Sequence, residues 1–303
     1  MKPQRLAGFG SIALGAGIAT AAVLGPLALK AIQFRTSDRI ENQFVGGEIV
    51  SLAVVAPTAI AAGVLWLRGH RLAPALALGP SLYAVYTYTT AVIGQEYGRY
   101  PGNVEKFFPL YAGLVAGGAA IAACSWARLD EIDLPMPSDR LRRGVAGIFL
   151  GLGSFFALAW TAQIRLVVTG HPAAEYREGP SAFWIVKLLD FGFVIPALIA
   201  TAIGLFRRRP VALQAAYGLA AFATCLAGSI AGMAVAMVVK DDPSAQPVMV
   251  AVALLATAGL AAITVRLLAP LARRQPVGLL SSPPRPPARR LAGRDDRSPR
   301  HAG

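Results

Sequence analysis

Apolar runs of twenty or more residues recur along most of this chain, separated by short polar segments. An α-helix rises about 1.5 Å per residue, so roughly twenty apolar residues cross about 30 Å of hydrocarbon. The runs lack the alternating pattern of β-barrel strands, and we therefore predict an all-α polytopic transmembrane bundle. The eight expected spans are residues 8–29, 44–67, 73–94, 107–127, 144–164, 183–206, 211–239 and 247–269.

The composition agrees with a chain that lies in a bilayer. Of its 303 residues, 55% are hydrophobic and only 15% are charged, and the mean hydropathy is +0.54. Soluble domains carry about 25% charged residues and have shorter apolar segments. This balance excludes a soluble enzyme of the dinucleotide-binding type and a secreted disulfide scaffold.

The first apolar segment has two interpretations. Lys2 and Arg5 followed by an apolar stretch also describe a secretory signal peptide. The run at residues 8–29 is longer than the usual signal-peptide core of about 7–15 residues. We therefore favour an uncleaved helix, and the orientation of the other spans does not depend on the choice.

Basic residues predict the orientation. When the connecting segments are assigned alternately to the two sides, 20 Lys and Arg lie on the side that holds both termini and 7 on the other. By the positive-inside rule, both termini are expected in the cytoplasm. The preference for Arg over Lys and the many alanines suit a multi-pass protein of a bacterial inner membrane.

Residues 1–269 are thus expected to form the membrane domain, and residues 270–303 a disordered cytoplasmic tail. The tail is rich in Pro, Ser and Arg, with eight arginines against Asp295 and Asp296. Alternatively, it binds anionic lipid headgroups, at about 1 kcal/mol per basic residue, or acts as a proline-rich ligand around Pro283–Pro287. No aromatic residue is interleaved with the arginines, so nucleic acid is not expected as a partner.

Enzyme motifs are missing. The sequence contains no phosphate-binding loop, no His-Glu-x-x-His zinc motif and no Gly-x-Ser-x-Gly nucleophile motif. Its three histidines lie in expected loops or the tail, and the two cysteines lie far apart in apolar segments. We therefore expect no metal, no cofactor and no catalytic residue, and an enzyme is the less favoured class. The sequence indicates no oligomeric state.

Four ionisable residues lie within or at the end of expected spans: Glu48, Arg165, Lys187 and Asp190. Each costs at least about 2.5 to 3.5 kcal/mol near the bilayer centre, so each needs a partner or a function. With cytoplasmic termini, all four fall in the outer half of the membrane. We expect Glu48, Lys187 and Asp190 to contact one another, because three unpaired charges would be costly.

The third span adds tyrosines and threonines at the same depth, among them Tyr86 and Tyr88. Together these residues suggest an outward-facing polar pocket between the second, third, fifth and sixth spans. In the alternative, they form a neutral ion network that braces the bundle, and the tyrosines belong to an interfacial aromatic belt. The candidate binding residues are Glu48, Tyr86, Tyr88, Arg165, Lys187 and Asp190.

Proline and glycine positions bear on helix geometry. Pro57, Pro80 and Pro196 lie inside expected spans, where each removes a backbone donor and favours a kink. Three Gly-x-x-x-Gly pairs favour close helix packing: Gly113/Gly117, Gly147/Gly151 and Gly228/Gly232. Transporters build sites from such interrupted helices, although no inverted repeat is evident here.

Several segments resemble one uncharacterised family of bacterial polytopic inner-membrane proteins with about eight helices. The segments are Phe44-Val-Gly-Gly-Glu48 through Pro57, the tyrosine-rich third span, Asn103 through Tyr111, and Lys187-Leu-Leu-Asp190 through Pro196. The resemblance covers the second to sixth spans. It implies no activity, and it singles out Glu48, Lys187 and Asp190 again.

Two functions remain open from the sequence. The favoured one is binding or transport of a small polar solute at the outward-facing pocket. The alternative is a non-catalytic structural or interaction protein whose intramembrane charges brace the helices. An enzyme ranks third because Glu48 and Asp190 have no histidine or metal partner within the spans.

Overall fold

The computed structural model describes residues 3–273 except 133 and 244. Within these residues there are α-helices, π-helical turns and a 3₁₀ turn, and no strand. The helices are α1 (Pro3–Ala22), α2 (Asp38–Val50), α3 (Ala56–Leu67), α4 (Ala73–Ile93), α5 (Phe108–Asp130), α6 (Asp139–Val168), α7 (Ala174–Glu178), α8 (Pro180–Leu189), α9 (Ile195–Phe206), α10 (Pro210–Val239) and α11 (Pro247–Ala272).

Seven helical segments are long and apolar enough to cross a membrane, which confirms the multi-pass helical class. They are Gln4–Leu27, Asp38–Leu67, Val104–Asp130, Asp139–Val168, Pro180–Phe206, Pro210–Val239 and Pro247–Ala272. The remaining expected span is α4, a helix of 21 residues that is not among the seven. Its tyrosines and threonines lower its hydropathy, and more than half of its residues are buried among the other helices.

Two spans are interrupted internally by π-helical turns, where the hydrogen bond spans five residues instead of four, and a third such turn, Val23–Leu27, ends the first span. Ser51–Val55 joins α2 to α3, and Asp190–Val194 joins α8 to α9. Each of these two turns ends two residues before a proline, Pro57 or Pro196, which lies in the first turn of the next helix. Proline lacks the N–H that would bond back to the preceding turn, and the π-helical turn accommodates this missing hydrogen bond without breaking the span. The expected interruptions at these two prolines are confirmed, whereas α4 continues through Pro80.

The chain contains two copies of one helical arrangement, related by a constant shift in residue number. We call this shift the repeat offset, and it is the shift that takes the π-helical turn Ser51–Val55 onto Asp190–Val194. The same offset takes both ends of α3 onto those of α9, and the first residue of α5 onto that of α11. The first half therefore comprises α1 to α5 and the second half α6 to α11.

The turns after the interrupted spans repeat as well. Gly69 and Arg208 both have a positive φ, 68° and 55° respectively, and the repeat offset takes one onto the other. Four backbone hydrogen bonds around Gly69 recur around Arg208 between residues related by the same offset. Helix C-termini often end in this geometry, but the shared position supports a common architecture.

Helix packing inside each half follows the same pattern. A Cβ added to Gly15 on α1 would lie 2.7 Å from the backbone oxygen of Ala56 and 2.7 Å from the Cγ1 of Ile60, both on α3. A Cβ added to Gly153 on α6 would lie 3.6 Å from the backbone oxygen of Ile195 and 2.9 Å from the Cγ1 of Ile199, both on α9. Ile195 and Ile199 follow Ala56 and Ile60 by the repeat offset, whereas Gly153 follows Gly15 by one residue less than this offset.

The two halves interlock through their third long helices. α4 packs on α10, where an added Cβ on Gly79 would lie 2.7 Å from the Cβ of Ala221. The interrupted span of the first half packs on α10, and an added Cβ on Gly46 would lie only 2.1 Å from the carbonyl oxygen of Gly232. The span of the second half packs on α4, where Gly94 approaches Ala182.

Only one of the three glycine pairs found in the sequence mediates close helix packing within the described chain. Gly232 lies against the backbone of Gly46, and Gly228 contacts Val50 and Thr257. The pairs Gly113/Gly117 and Gly147/Gly151 have no neighbouring atom within 4 Å of an added Cβ.

The predicted tail lies almost entirely outside the described residues. α11 ends at Ala272, three residues beyond the expected end of the last span, and residues 274–303 are not described. The expectations about disorder and lipid binding in the tail therefore stay predictions.

Substituting Gly46 tests the interlock between the halves. We expect Gly46→Ala to destabilise the protein by about 1–3 kcal/mol, because the new methyl group meets a backbone oxygen that cannot move without shifting α10. Gly113→Ala is the matched control, and its effect should stay within about 1 kcal/mol because its Cβ enters open space. Thermal unfolding in detergent measures both, and equal stabilities would contradict the packing.

Candidate functional site

The six candidate binding residues do not form one site. Glu48 and Tyr88 belong to one group of buried residues, which we call the Glu48 cluster: Glu48, Ser51, Tyr83, Tyr88, Tyr111 and Ser229. Tyr86, Lys187 and Asp190 belong to a second group, which we call the Asp190 cluster: Tyr86, Trp160, Phe183, Lys187 and Asp190. Arg165 belongs to neither.

Helix geometry explains the separation. Tyr86 and Tyr88 are two positions apart on α4, and residues two apart on a helix point in nearly opposite directions. Tyr86 therefore reaches the second half at Asp190, whereas Tyr88 faces Tyr111 on α5, with a ring-centroid distance of 5.6 Å. No hydrogen bond or ion pair joins Glu48 to Lys187 or Asp190 in the described chain, so the expected contact between them is absent.

The carboxylate of Asp190 has two donors. The Tyr86 hydroxyl donates to one oxygen at 3.1 Å, and the Trp160 indole N–H donates to the other at 2.6 Å. Asp190 is the first residue of the π-helical turn Asp190–Val194, and its side chain reaches α4 and α6. Hydrogen bonds to both oxygens stabilise the ionised form of this carboxylate.

Lys187 lies against aromatic rings and forms no ion pair within 4 Å in the described chain, although it is close enough to Asp190 to feel its charge. Its ammonium nitrogen lies 3.6 Å from the centroid of the Trp160 ring and 4.4 Å from that of Phe183. Ring faces carry negative potential, so they stabilise a cation in a poorly hydrated place. Trp160 thus contacts both charged residues, with its ring face toward Lys187 and its N–H toward Asp190.

Arg165 lies near the C-terminal end of α6, and its side chain is exposed. It forms no side-chain hydrogen bond or ion pair with the other described residues. Of the two positions considered from the sequence, the structure has the side chain directed outward and not toward the acidic groups. It is therefore removed from the candidate site.

The Glu48 cluster is centred on a chain of three hydroxyls. The Tyr83 hydroxyl lies 2.8 Å from the Ser51 hydroxyl and donates to the Ser229 hydroxyl at 3.2 Å. This chain connects the π-helical turn Ser51–Val55 to α4 and then to α10, so it crosses between the two halves. Each of the three residues is at most 2% exposed.

Beside this chain are polar groups that have no partner. Glu48 is 6% exposed, and its Oε2 atom forms no hydrogen bond. The hydroxyls of Tyr88 and Tyr111 are buried and form no hydrogen bond within 3.5 Å, although that of Tyr88 lies near the Ser51 hydroxyl and both tyrosines lie close enough to Glu48 to feel its charge. Buried polar groups are usually hydrogen-bonded, and each exception costs about 1–3 kcal/mol. Three such groups lie together in this cluster, which makes it the candidate site.

Loops cover the end of the bundle nearest these residues. We call residues 28–37, 94–107 and 169–181 the loop cap, because side chains from all three segments bind one another. The contacts are Arg35–Glu105 at 2.5 Å, Arg35 N–Gln95 at 2.6 Å, Ser181 N–Glu96 at 2.7 Å and Ser37–Glu178 at 3.1 Å. Glu48, Lys187 and Asp190 are only 6–7% exposed, so they do not line the open outward-facing pocket that the sequence suggested.

Sequence reasoning missed the partners that complete both clusters. Trp160 and Phe183 look like ordinary apolar residues of their spans, and Ser51 and Ser229 look like small packing residues. The available signal was the spacing between charged residues and prolines. Glu48 precedes Pro57 by nine residues, as Lys187 precedes Pro196, so the two charged residues are equivalent in the repeat.

Comparison with protein-family models, curated proteins and solved structures found no match to this chain. The resemblance noted from the sequence therefore stays a prediction. Among the described residues, no group of three His, Cys, Asp or Glu side chains lies close enough to hold a metal ion. Function must be argued from the two clusters themselves.

Two tyrosine substitutions on α4 distinguish a bonded hydroxyl from an unpartnered one. We expect Tyr83→Phe to destabilise the protein by about 1–3 kcal/mol, because it leaves two buried serine hydroxyls without their shared partner. Tyr88→Phe removes a buried hydroxyl that has no partner, so stability should be unchanged or slightly higher. Thermal unfolding of the two variants in the same detergent gives the comparison, and a larger loss for Tyr88→Phe would refute the assignment.

Proposed function

We propose that this protein binds a small polar solute at the Glu48 cluster and carries it across a bacterial inner membrane. The supporting observation is the buried Glu48 carboxylate, whose Oε2 atom has no partner, beside two unpartnered tyrosine hydroxyls. A structural role does not require three unsatisfied groups to be buried together, whereas a ligand with hydrogen-bond donors would satisfy them. The acidic centre favours solutes that carry an ammonium or several hydroxyl groups.

The repeated architecture supports transport in particular. With four long helices in each half, both halves enter the membrane from the same side, as in transporters built from parallel repeats. Such proteins place their sites at the interface of the repeats, beside interrupted helices. The Glu48 cluster meets both conditions, because Ser51 begins a π-helical turn and Ser229 belongs to the other half.

The covered state of the site fits one step of a transport cycle. Alternating access requires that the loop cap open and close over the site while the halves move against each other. The loop cap combines ion pairs near water, worth about 0–1 kcal/mol each, with apolar side chains that belong to the hydrophobic core, namely Ile32, Phe34 and Val104. Opening this end therefore requires these apolar side chains to leave the core.

The Asp190 cluster supports the second candidate function, a structural or interaction protein. Asp190 has a donor on each oxygen, and Lys187 lies against two rings, so both charges are satisfied within the protein. This arrangement braces α8 against α4 and α6 without any ligand. We assign bracing to this cluster and solute binding to the other.

The proposal includes eight spans with both termini in the cytoplasm, α4 being the span surrounded by the others. Reporter fusions test it. A fusion after Gly303 should be active only with a cytoplasmic reporter, and a fusion in the segment 170–181 only with an exported one, because basic loops stay inside. The reverse result at either place would overturn the topology.

Ligand-induced stabilisation tests the function. Purified protein in lipid nanodiscs is heated with panels of amino acids, polyamines, sugars, nucleosides and organic acids. A solute at 100 times its dissociation constant should stabilise the native state by about 2.7 kcal/mol. Glu48→Gln should lose the shift, whereas Glu131→Gln, an exposed residue paired with Arg128, should keep it.

The outcome decides between the two candidates. A shift that depends on Glu48 supports solute binding at this cluster. If no solute from the panels stabilises the intact protein, or if the shift survives Glu48→Gln, the proposed site is abandoned in favour of the structural role.

A further inference from the structure

We infer that the Glu48 carboxyl is a proton-binding site, and that a proton is the ion coupled to the solute. The coupling rests on the proposed function, whereas the proton site itself rests only on the geometry of the Glu48 cluster. The chemistry is a reversible O–H bond: the carboxyl takes a proton from water when the site opens and returns it to water later. Two features support it, namely the surroundings of Glu48 and the equivalent position in the second half.

No described cation neutralises Glu48. Among the described residues, no Lys or Arg nitrogen lies within 4 Å of its carboxylate oxygens, and its Oε2 atom accepts no hydrogen bond. An ionised carboxylate in a buried, lipid-depth position costs several kcal/mol unless it is paired. A proton removes that charge without requiring space.

The groups that face Glu48 leave the proton on this residue. α4 contributes the hydroxyls of Tyr83 and Tyr88, α5 contributes that of Tyr111, and α10 contributes that of Ser229 next to Gly47. Tyrosine and serine hydroxyls are neutral at physiological pH, so none of them competes for the proton. The unpartnered hydroxyls of Tyr88 and Tyr111 can instead donate to the carboxylate after it ionises.

Packing leaves little room for a larger ion. An added Cβ on Gly47 would lie 3.1 Å from the Ser229 hydroxyl oxygen and 3.0 Å from the methyl group of Met233. The neighbouring Gly46 lies against the backbone of α10. In this closed arrangement a proton fits at Glu48, whereas a solute requires the halves to separate first.

The second half provides an internal comparison. The repeat offset takes Glu48 onto Lys187 and Ser51 onto Asp190. At this place the second half has a lysine held by two rings and a carboxyl held by two donors. The first half has an acid with neither, so only the first half requires an exchangeable positive charge.

Infrared difference spectroscopy tests the protonation state directly. Spectra of the protein in nanodiscs are compared with those of Glu48→Gln, and those of Asp190→Asn serve as the matched control. At neutral pH we expect the Glu48 difference to contain the C=O stretch of a protonated carboxyl, which shifts in deuterium oxide and disappears at alkaline pH. The Asp190 difference should contain only carboxylate bands. Carboxylate bands alone at Glu48 at neutral pH would overturn the inference.

A chemical measurement on the unsubstituted chain covers the case in which Glu48→Gln does not fold. Dicyclohexylcarbodiimide, an apolar reagent, adds to protonated carboxyls in membranes. We expect a mass increase on the peptide that contains Glu48, strongest at acidic pH and lost at alkaline pH, and none on the peptide that contains Asp190. Equal modification of both peptides, or pH-independent modification at Glu48, would count against a proton site.

The two proposals can fail separately. A protonated Glu48 without stabilisation by any solute leaves the proton site standing and removes the solute. If a solute stabilises the protein only when Glu48 is present, but the Glu48 carboxyl is ionised at neutral pH, the solute site stands and the proton site is rejected. When both hold, solute affinity should change with pH in the unsubstituted protein, and Tyr88→Phe should shift the pH range of that change without abolishing it, because Glu48 still titrates.

Discussion

The arrangement of this protein depends on the crossing of α2 and α10, where two backbones touch. Gly46 and Gly232 lack side chains, so the helices approach until an added Cβ would clash with a carbonyl oxygen. In a membrane, such close packing replaces the hydrophobic effect as the force between helices. Because α2 lies so near α10, Glu48 and Ser51, within two turns of the crossing, are buried between the halves.

The π-helical turns then determine which side chains meet. Each turn lets a span accommodate a proline and changes the direction of the residues next to it. In the first half this leaves Glu48 among tyrosines, and in the second it turns Asp190 toward Tyr86 and Trp160. The same backbone therefore holds two polar groups of different character, one incomplete and one complete within the chain.

The difference between the halves has an energetic reason. A buried charge is tolerated when donors or ring faces replace water, and this holds for Asp190 and Lys187. Glu48 has no such replacement at its Oε2 atom, so its burial is a cost that the remaining packing offsets. A cost of this kind is typical of positions kept for binding, where stability is exchanged for reactivity.

The sequence by itself determined the helical class, seven of the eight expected spans and the interruptions at Pro57 and Pro196, because hydropathy and missing N–H groups act locally. It also drew attention to Glu48, whose burial in a span is costly wherever its partners lie. Only the tertiary structure decided that Tyr86 and Tyr88 serve different clusters and that Arg165 faces outward. Those outcomes depend on helix rotation and on which helices touch across the halves, and a one-dimensional pattern of polar and apolar residues does not contain either quantity.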